Sequence, residues 1–162
     1  MKALFALAAL ALAFVAAPYA DARSIQHPAG AAPALTLELP DTWRSDLREP
    51  NLLLYNSPAG QFSLGISVFV GQTTEEPDAI ANAIGERSAP FTREADTELA
   101  GQPAAVYVRQ VAVPGGQASM RMYMVRIDPE TMATLTVITF PIATSDNIAE
   151  GERVLRSVQI VH

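Results

Sequence analysis

The sequence predicts an α+β fold, in which a mainly antiparallel β-sheet is sandwiched by two or more helices. Beyond residue 34, short β-prone segments alternate with tight turns rich in proline and glycine, the pattern of successive hairpins. Residues 73–88 and 147–157 instead show the periodicity of amphipathic helices. The strands predicted over 104–113 and 118–127 are apolar on both faces, which indicates a sheet covered on both sides.

The first 22 residues have the composition of a secretory signal peptide. Lys2 precedes an uninterrupted apolar run over 3–17. Ala20 and Ala22 then place small residues at −3 and −1 of a cleavage site before Arg23. The run of about 15 apolar residues is shorter than the roughly 20 needed to span a bilayer. We therefore expect a cleaved signal, a periplasmic or secreted product, and no stable membrane anchor after processing.

The chain contains no cysteine. This excludes disulfides, a thiol nucleophile and thiolate metal ligands. It also excludes the bacterial lipoprotein modification, which needs a cysteine just after the apolar run, so we expect a product that is not a lipoprotein.

The formal net charge is −6, and the only lysine is Lys2. Nucleic-acid binding requires a basic patch that neutralises phosphates, and an acidic chain with scattered arginines does not provide one. We expect no nucleic-acid partner.

The mature chain is predicted to be one domain over 34–162, preceded by a flexible lead-in over 23–33 that is rich in small residues, proline and glycine. The first strand, 35–39, alternates leucine with polar residues, so its three leucines share one face. The turn that follows, 40–43, contains the only tryptophan of the chain.

A hairpin and a helix come next. Strands over 51–56 and 61–70 flank a tight turn, 57–60. For the helix over 73–88, Thr73 and Glu76 fit a capping box. We expect its apolar stripe to consist of Ile80, Ala83 and Ile84.

The second half of the domain is predicted to be mainly β-sheet. Its elements are a polar edge strand over 92–99, strands over 104–113 and 118–127 around a loop at 114–117, a strand over 131–140, a helix over 147–157 capped by Ser145 or Asp146, and a strand over 158–161. We expect the helix to present Ile148, Val154 and Leu155 to the sheet. In the long hairpin, Met120, Met122 and Met124 share one face, where they form core or an adaptable binding surface.

The order of these segments resembles the PsbP-like superfamily. The resemblance rests on a short strand followed by a turn and a tryptophan, a hairpin ending in ISVFV, the segments ELAGQPAAVYV, GGQASMRMYMV and MATLTVITFP, and the closing VLRSVQIV. It covers about residues 35–161 and concerns layout rather than signature residues.

That superfamily includes the PsbP extrinsic proteins of photosystem II, DcrB-like periplasmic proteins and a Ran-binding nuclear import factor. The resemblance implies an α/β/α sandwich. It also implies a mostly non-enzymatic role as an assembly factor, accessory subunit or adaptor, with a protein partner and no cofactor. This chain lacks the lysine-bearing surface and long basic N-terminal region of the lumenal PsbP proteins, which favours the broader bacterial branch.

The sequence contains no recognisable catalytic or metal-binding motif. His27 and His162 lie far apart along the chain, and no zinc or calcium ligand spacing is present. There is no G-x-S-x-G elbow, and neither histidine lies in a segment that would place it beside a serine and an acid. We therefore predict no catalytic residues, no metal and no cofactor.

Three residues are candidates for partner or ligand contact. Trp43 either plugs one end of the sheet, with its indole N–H bonded to a loop carbonyl, or is an exposed partner contact. Arg109 and Arg121 lie on opposite faces of the long hairpin, where each pairs with a carboxylate, extends to an edge of the sheet, or binds an anionic ligand.

These observations favour an exported, non-catalytic accessory or partner-binding protein of the cell envelope. Two alternatives remain open. One is a periplasmic carrier that holds a small ligand between a helix and the sheet, and the other is a hydrolase of unrecognised type.

Overall fold

A computed structural model of the protein describes residues 21–49, 52–70, 74–86 and 89–162, with the side chains of Leu47 and Arg48 excepted. The described residues form eleven strands and two helices. In chain order these are β1 (Ala22–His27), β2 (Ala34–Pro40), β3 (Arg44–Glu49), β4 (Leu52–Asn56), β5 (Phe62–Phe69), α1 (Pro77–Gly85), β6 (Thr92–Arg93), β7 (Thr97–Leu99), β8 (Gln102–Val113), β9 (Gly116–Asp128), β10 (Thr131–Thr139), α2 (Ser145–Arg156) and β11 (Gln159–Val161).

Two antiparallel sheets contain these strands. The main sheet has eight strands in the order β3-β4-β5-β10-β9-β8-β6, and β7 also pairs with β8. The small sheet has the order β1-β2-β11, so the first and last described strands both flank β2. The predicted α+β sandwich is confirmed.

The two faces of the main sheet are both covered, as the apolar character of the long hairpin predicted. On one face, the leucines of β2 pack with side chains of β4, β5 and β10 and with Val154 of α2. On the other face, Ala81 of α1 packs over Tyr107, Met122, Met124 and Met132. Met122 and Met124 are buried, so this part of the methionine stripe is core.

The N-terminal helix is shorter than predicted. It begins at Pro77, with Glu76 as the N-cap residue and no side-chain hydrogen bond at the cap, so the predicted capping box is wrong. Proline suits the first helical position but disfavours helical backbone in the residue before it. Thr73 lies outside the described residues. The predicted apolar stripe is also wrong in part, since Ala81 and Gly85 are buried whereas Ile84 is 38% exposed.

The N-cap residue of the C-terminal helix differs from the two residues that we predicted. Thr144, rather than Ser145 or Asp146, is the N-cap, and it forms a capping box with Asn147. The Asn147 amide donates to Thr144 Oγ1 at 3.4 Å, and the Thr144 amide donates to Asn147 Oδ1 at 3.0 Å. Val154 is buried as expected, but Ile148 is 44% exposed.

Two segments that we expected to be irregular are strands. Residues 23–27 of the predicted lead-in form β1 together with Ala22 of the predicted signal segment, because this strand pairs along its whole length with β2 and Ile25 packs against the core. Residues 44–49, which follow the predicted turn at 40–43 and were expected to lie in a loop over 44–50, form β3, which pairs with β4 at the edge of the main sheet. Both strands are polar, so neither has the apolar alternation that marks a strand in the sequence.

Two further predictions need correction in detail. The edge strand expected over 92–99 is divided into β6 and β7. In the long hairpin, Val113 pairs with Gly116, so the loop has two residues rather than four. This register differs by two residues from the one we expected. Because side chains alternate with period two, the predicted faces are unchanged.

Candidate functional site

A groove runs beside α2, along the face of the main sheet that this helix covers. Its larger part has a volume of about 610 Å³ and lies between the C-terminal half of α2 and residues 97–101. Its smaller part, about 270 Å³, lies towards the start of α2. Tyr123, Glu152 and Leu155 line both parts, so the two parts adjoin each other.

The position of α2 leaves this groove open. Gly151 faces the ring of Phe62 so closely that a Cβ atom there would lie 3.2 Å from the ring. Val154, one turn later, is buried in the core with the β2 leucines. These contacts hold α2 over β5 and β2, so Arg121 and Tyr123 of β9 are left at least partly exposed beside it.

The groove combines an apolar floor with charged rims. Leu99, Tyr123 and Leu155 contribute apolar surface. Arg156 and Glu152 form an ion pair of 2.9 Å on the rim. Exposed ion pairs of this kind contribute little to stability, so these charges remain available to a ligand or partner at small cost.

The structure places Trp43 in the core rather than on the surface. Its side chain is 2% exposed and packs with the β2 leucines. The indole Nε1 donates to Glu150 Oε1 of α2 at 2.7 Å, not to a loop carbonyl as we expected. The guanidinium of Arg23 donates from Nη2 to the Trp43 carbonyl at 2.7 Å. Trp43 therefore joins the turn after β2 to α2 and offers no exposed surface to a partner.

The two candidate arginines lie on opposite faces, and the structure does not bring them together. Arg109 is on the α1 face, where its Nη1 donates to the Ala89 carbonyl at 3.0 Å and its guanidinium lies 4.5 Å from the centre of the Phe91 ring. Arg121 pairs with Glu94 at 2.9 Å. Of the three candidates, only Arg121 lines the groove.

Tyr123 and the α2 residues of the groove were not among the sequence candidates. Tyr123 lies on the predicted apolar face of the long hairpin, and this placement alone does not distinguish a groove residue from a core residue. The distinction depends on where α2 lies across the sheet, which no local pattern specifies.

A polar cluster on the other face joins α1 to the sheet. The Tyr107 hydroxyl donates to Asp78 Oδ1 at 2.5 Å, and Arg93 Nη1 donates to the same oxygen at 2.8 Å. Arg93 also pairs with Asp96. The Tyr107 hydrogen bond lowers the pKa of Asp78. Burial, followed by the bond to Asp78, raises the pKa of Tyr107 to about 12. We interpret this cluster as structural because its groups are engaged with one another.

No candidate metal centre is found in the described ranges, where no three or more His, Asp or Glu side chains are grouped to hold an ion. Across the same described part of the chain, neither helix combines the length and apolar character needed to cross a bilayer.

No protein-family model and no curated protein matches this chain. Solved structures do. The cyanobacterial PsbP protein CyanoP from Synechocystis matches with a TM-score of 0.59 and 10% identity, over 90% of this chain and 96% of its own. The protein has the PsbP-like fold. The Ran-binding protein Mog1p from Saccharomyces cerevisiae also shares this fold, with a TM-score of 0.53 and 9% identity over 87% of this chain and 96% of its own.

Two bacterial structures are similar to the same degree. LpqN, which is involved in cell envelope biogenesis of Mycobacterium tuberculosis, matches with a TM-score of 0.55 and 17% identity over 88% of this chain and 91% of its own. A Bacteroides thetaiotaomicron structure matches with a TM-score of 0.57 and 13% identity over 79% of this chain. The present chain spans 45% of that Bacteroides protein. At these identities, the likeness concerns the fold.

Proposed function

We propose that the protein is an exported, non-catalytic accessory protein that binds a protein partner in the cell envelope through the groove beside α2. The open groove is the observation that carries this proposal. It combines an apolar floor around Tyr123 with a rim that includes Glu152 and Arg156. An apolar centre within a polar rim is the usual composition of a protein interface.

Two proteins of the same fold support this role. Mog1p is a Ran-binding protein, and LpqN is involved in cell envelope biogenesis. The first shows that this fold can serve protein binding, and the second associates it with the compartment that we propose here.

Export is proposed from the signal-like segment over 1–22. Cleavage before Arg23 would leave β1 nearly whole, and Arg23 itself would keep its hydrogen bond to the Trp43 carbonyl. The intact mass of the protein from the envelope fraction tests this proposal. We expect a chain that begins at Arg23 or within a few residues of it, and a mass that still includes Met1–Ala22 would contradict it.

The partner proposal is tested by blocking the groove. Thr97 is exposed on β7 and lines the groove, whereas Thr92 is exposed on β6 and lines neither part of it. Both threonines lie on short edge strands that pair with β8, so Thr97→Trp and Thr92→Trp are matched surface changes. We expect a protein that co-purifies with the wild type from the native envelope fraction to be lost with Thr97→Trp and retained with Thr92→Trp. Equal retention by both variants would contradict the assignment to the groove.

A second candidate function is a small-ligand carrier, and the size of the groove is the observation that favours it. Its larger part, about 610 Å³, falls within the range of about 300–1,000 Å³ that small-molecule sites occupy. Native mass spectrometry of the protein purified from its own host would reveal a retained molecule as a fixed mass increment. We expect Thr97→Trp to abolish this increment if the carrier function is correct.

A further inference from the structure

The proposed cleavage site lies inside a paired strand. Cleavage before Arg23 breaks the peptide bond between Ala22 and Arg23, and both residues belong to β1. Ala22 pairs with Pro40 of β2, and Arg23 pairs with Leu39. The bond that a signal peptidase has to reach is therefore part of the small sheet in the folded protein.

Hydrogen bonds hold the chain on both sides of this peptide bond. On the N-terminal side, the Asp41 amide donates to the Asp21 carbonyl at 3.1 Å. On the C-terminal side, Arg23 Nη2 donates to the Trp43 carbonyl at 2.7 Å. The guanidinium of Arg23 also lies 6.0 Å from the centre of the Tyr55 ring. The residues that flank the bond are thus fixed to the turn after β2 and to the main sheet.

The residues after this bond face the core. Side chains alternate along a strand, so Arg23, Ile25 and His27 share one face of β1. Ile25 packs against the core cluster, and His27 is only 3% exposed. Ser24 points to the opposite face and is exposed. Any opening of β1 that extends a few residues past the bond therefore removes Ile25 from the core.

Peptidases cleave segments that are free to leave the fold. A peptidase binds an extended segment on both sides of the bond that it cleaves, commonly by pairing with the backbone of that segment. Cleavage therefore concentrates at exposed loop tips and chain ends. Here the backbone of β1 pairs with β2 along its whole length. The bond becomes available only in molecules in which β1 has separated from β2.

We propose that folding of this domain shields its own signal-cleavage site, so that a signal peptidase must cut before β1 pairs with β2. This inference rests on the proposed export and on cleavage before Arg23. The step is a hydrolysis. One water is consumed, the bond between the Ala22 carbonyl carbon and the Arg23 nitrogen breaks, Ala22 gains a carboxylate, and Arg23 gains an α-amino group that takes up a proton.

The shielded site gives the chain two alternative products. A chain that is cut first folds without residues 1–22. A chain that folds first keeps those residues, and with them the apolar run over 3–17. The order of cleavage and pairing thus determines whether the domain is released or keeps a hydrophobic N-terminal segment.

The experiment compares the folded full-length precursor with a synthetic peptide of residues 1–32, both in detergent micelles with a purified bacterial signal peptidase. The peptide contains β1 but not β2, so it reports cleavage of the unpaired site. Mass spectrometry follows the product that begins at Arg23. We expect the peptide to be cut at this bond, and the folded precursor to be cut at least about tenfold more slowly.

Two single substitutions form a matched pair. Ile25→Ser removes a side chain that packs against the core, whereas Ser24→Ala changes an exposed one. We expect Ile25→Ser to speed cleavage of the folded precursor several-fold, because the rate follows the population of the open state. Ser24→Ala should leave the rate unchanged, and neither change should affect the peptide. Blue-shifted Trp43 emission shows that each precursor is folded.

A disulfide between β1 and β2 locks the shielded state. Ser24 lies opposite Glu38, and both backbone groups of Glu38 point towards the Ser157 hydroxyl, at 2.9 and 3.4 Å, rather than towards β1. Ser24 and Glu38 therefore form a non-hydrogen-bonded pair, a type whose Cα atoms lie about 4.5 Å apart and suit a disulfide. The chain has no cysteine of its own, so Ser24→Cys with Glu38→Cys forms one defined bridge.

We expect this bridge to stop the residual cleavage of the folded precursor and dithiothreitol to restore it. If Ile25→Ser does not fold, the bridge decides the question alone. Equal cleavage rates for the folded precursor and the peptide, or undiminished cleavage of the bridged precursor, would overturn the shielding while leaving the proposed processing intact. A peptide that is not cut between Ala22 and Arg23 would instead remove the proposed cleavage site, and this inference with it.

Discussion

The two helices cover opposite faces of one sheet, but they are attached by different chemistry. The twelve-residue α2 has a full capping box and joins a core that includes Trp43 and the β2 leucines. The nine-residue α1 has no side-chain cap and covers a smaller cluster around Met122 and Met124. Its polar link to the sheet is the Asp78–Tyr107–Arg93 cluster. Packing therefore fixes α2, whereas hydrogen bonds and charge contribute a larger share of the attachment of α1.

This difference explains why the groove lies beside α2. Close contacts at Gly151 and Val154 hold α2 in place. The helix therefore does not need to pack against β9, and the groove lies on that side. We therefore expect substitutions on the α2 side to lower the free energy of unfolding strongly, and substitutions on the α1 side to lower it weakly. Variants on each side test that expectation.

The largest effect is expected for Trp43→Ala. The substitution removes a buried ring and leaves Glu150 without its indole donor, so the free energy of unfolding should fall by about 3–5 kcal/mol. Urea melts of the variant and wild type measure this change. Wild-type tryptophan emission should be blue-shifted in the folded state and move to longer wavelength on unfolding. An unchanged midpoint with water-like native emission would contradict the structural role.

A smaller loss is expected for Gly151→Leu. Any Cβ at this position crowds the Phe62 ring, so the larger side chain must displace α2 or the ring, which costs about 1–3 kcal/mol. Ala149→Leu is the control, because Ala149 is exposed on the same helix. Thermal or urea melts should separate the two variants. Equal stability of both would show that α2 is not held by close contact at Gly151.

On the α1 side, Tyr107→Phe should cost only about 1 kcal/mol, the usual net value of a hydrogen bond. Urea melts of the variant measure this loss. Tyr123→Phe, on the other face of the same hairpin, is the matched control. If Tyr107→Phe proved as damaging as Trp43→Ala, the contrast between the two faces would be wrong.

The pH dependence gives the most specific test. The pKa of Tyr107 rises from its ordinary value of 10.0 to about 12 in the folded protein, so its stabilising contribution is complete below pH 10. That contribution is lost as the pH rises through about 12, because the unfolded chain ionises first. The stability difference between wild type and Tyr107→Phe should therefore shrink across this range in alkaline urea melts. A constant difference would rule out this ionisation.

The apolar elements were predicted well, because the spacing of their apolar residues matches the face of each element that is buried. The leucines of β2 and the two-sided apolar hairpin of β8 and β9 are examples. The sequence did not predict β1 or β3, whose polar strands are specified by their neighbours β2 and β4 rather than by their own pattern. In the same way, Trp43 was predicted at the sheet end, but its partner Glu150 lies more than a hundred residues away along the chain. The groove is a product of such long-range packing, which is why the local pattern did not predict it.

The small sheet has a consequence for the order in which parts of the domain fold. Strand β2, near the start of the domain, pairs on one side with β1 and on the other with β11, near its end. The Ser157 hydroxyl, just before β11, also accepts a hydrogen bond of 2.9 Å from the Glu38 amide. A partly synthesised chain lacks β11, the second neighbour of β2, and the α2 side of the core. Contacts at such separation form slowly, so final closure is delayed until nearly the whole domain is present. The domain would thus close only after its last strand has become available to β2.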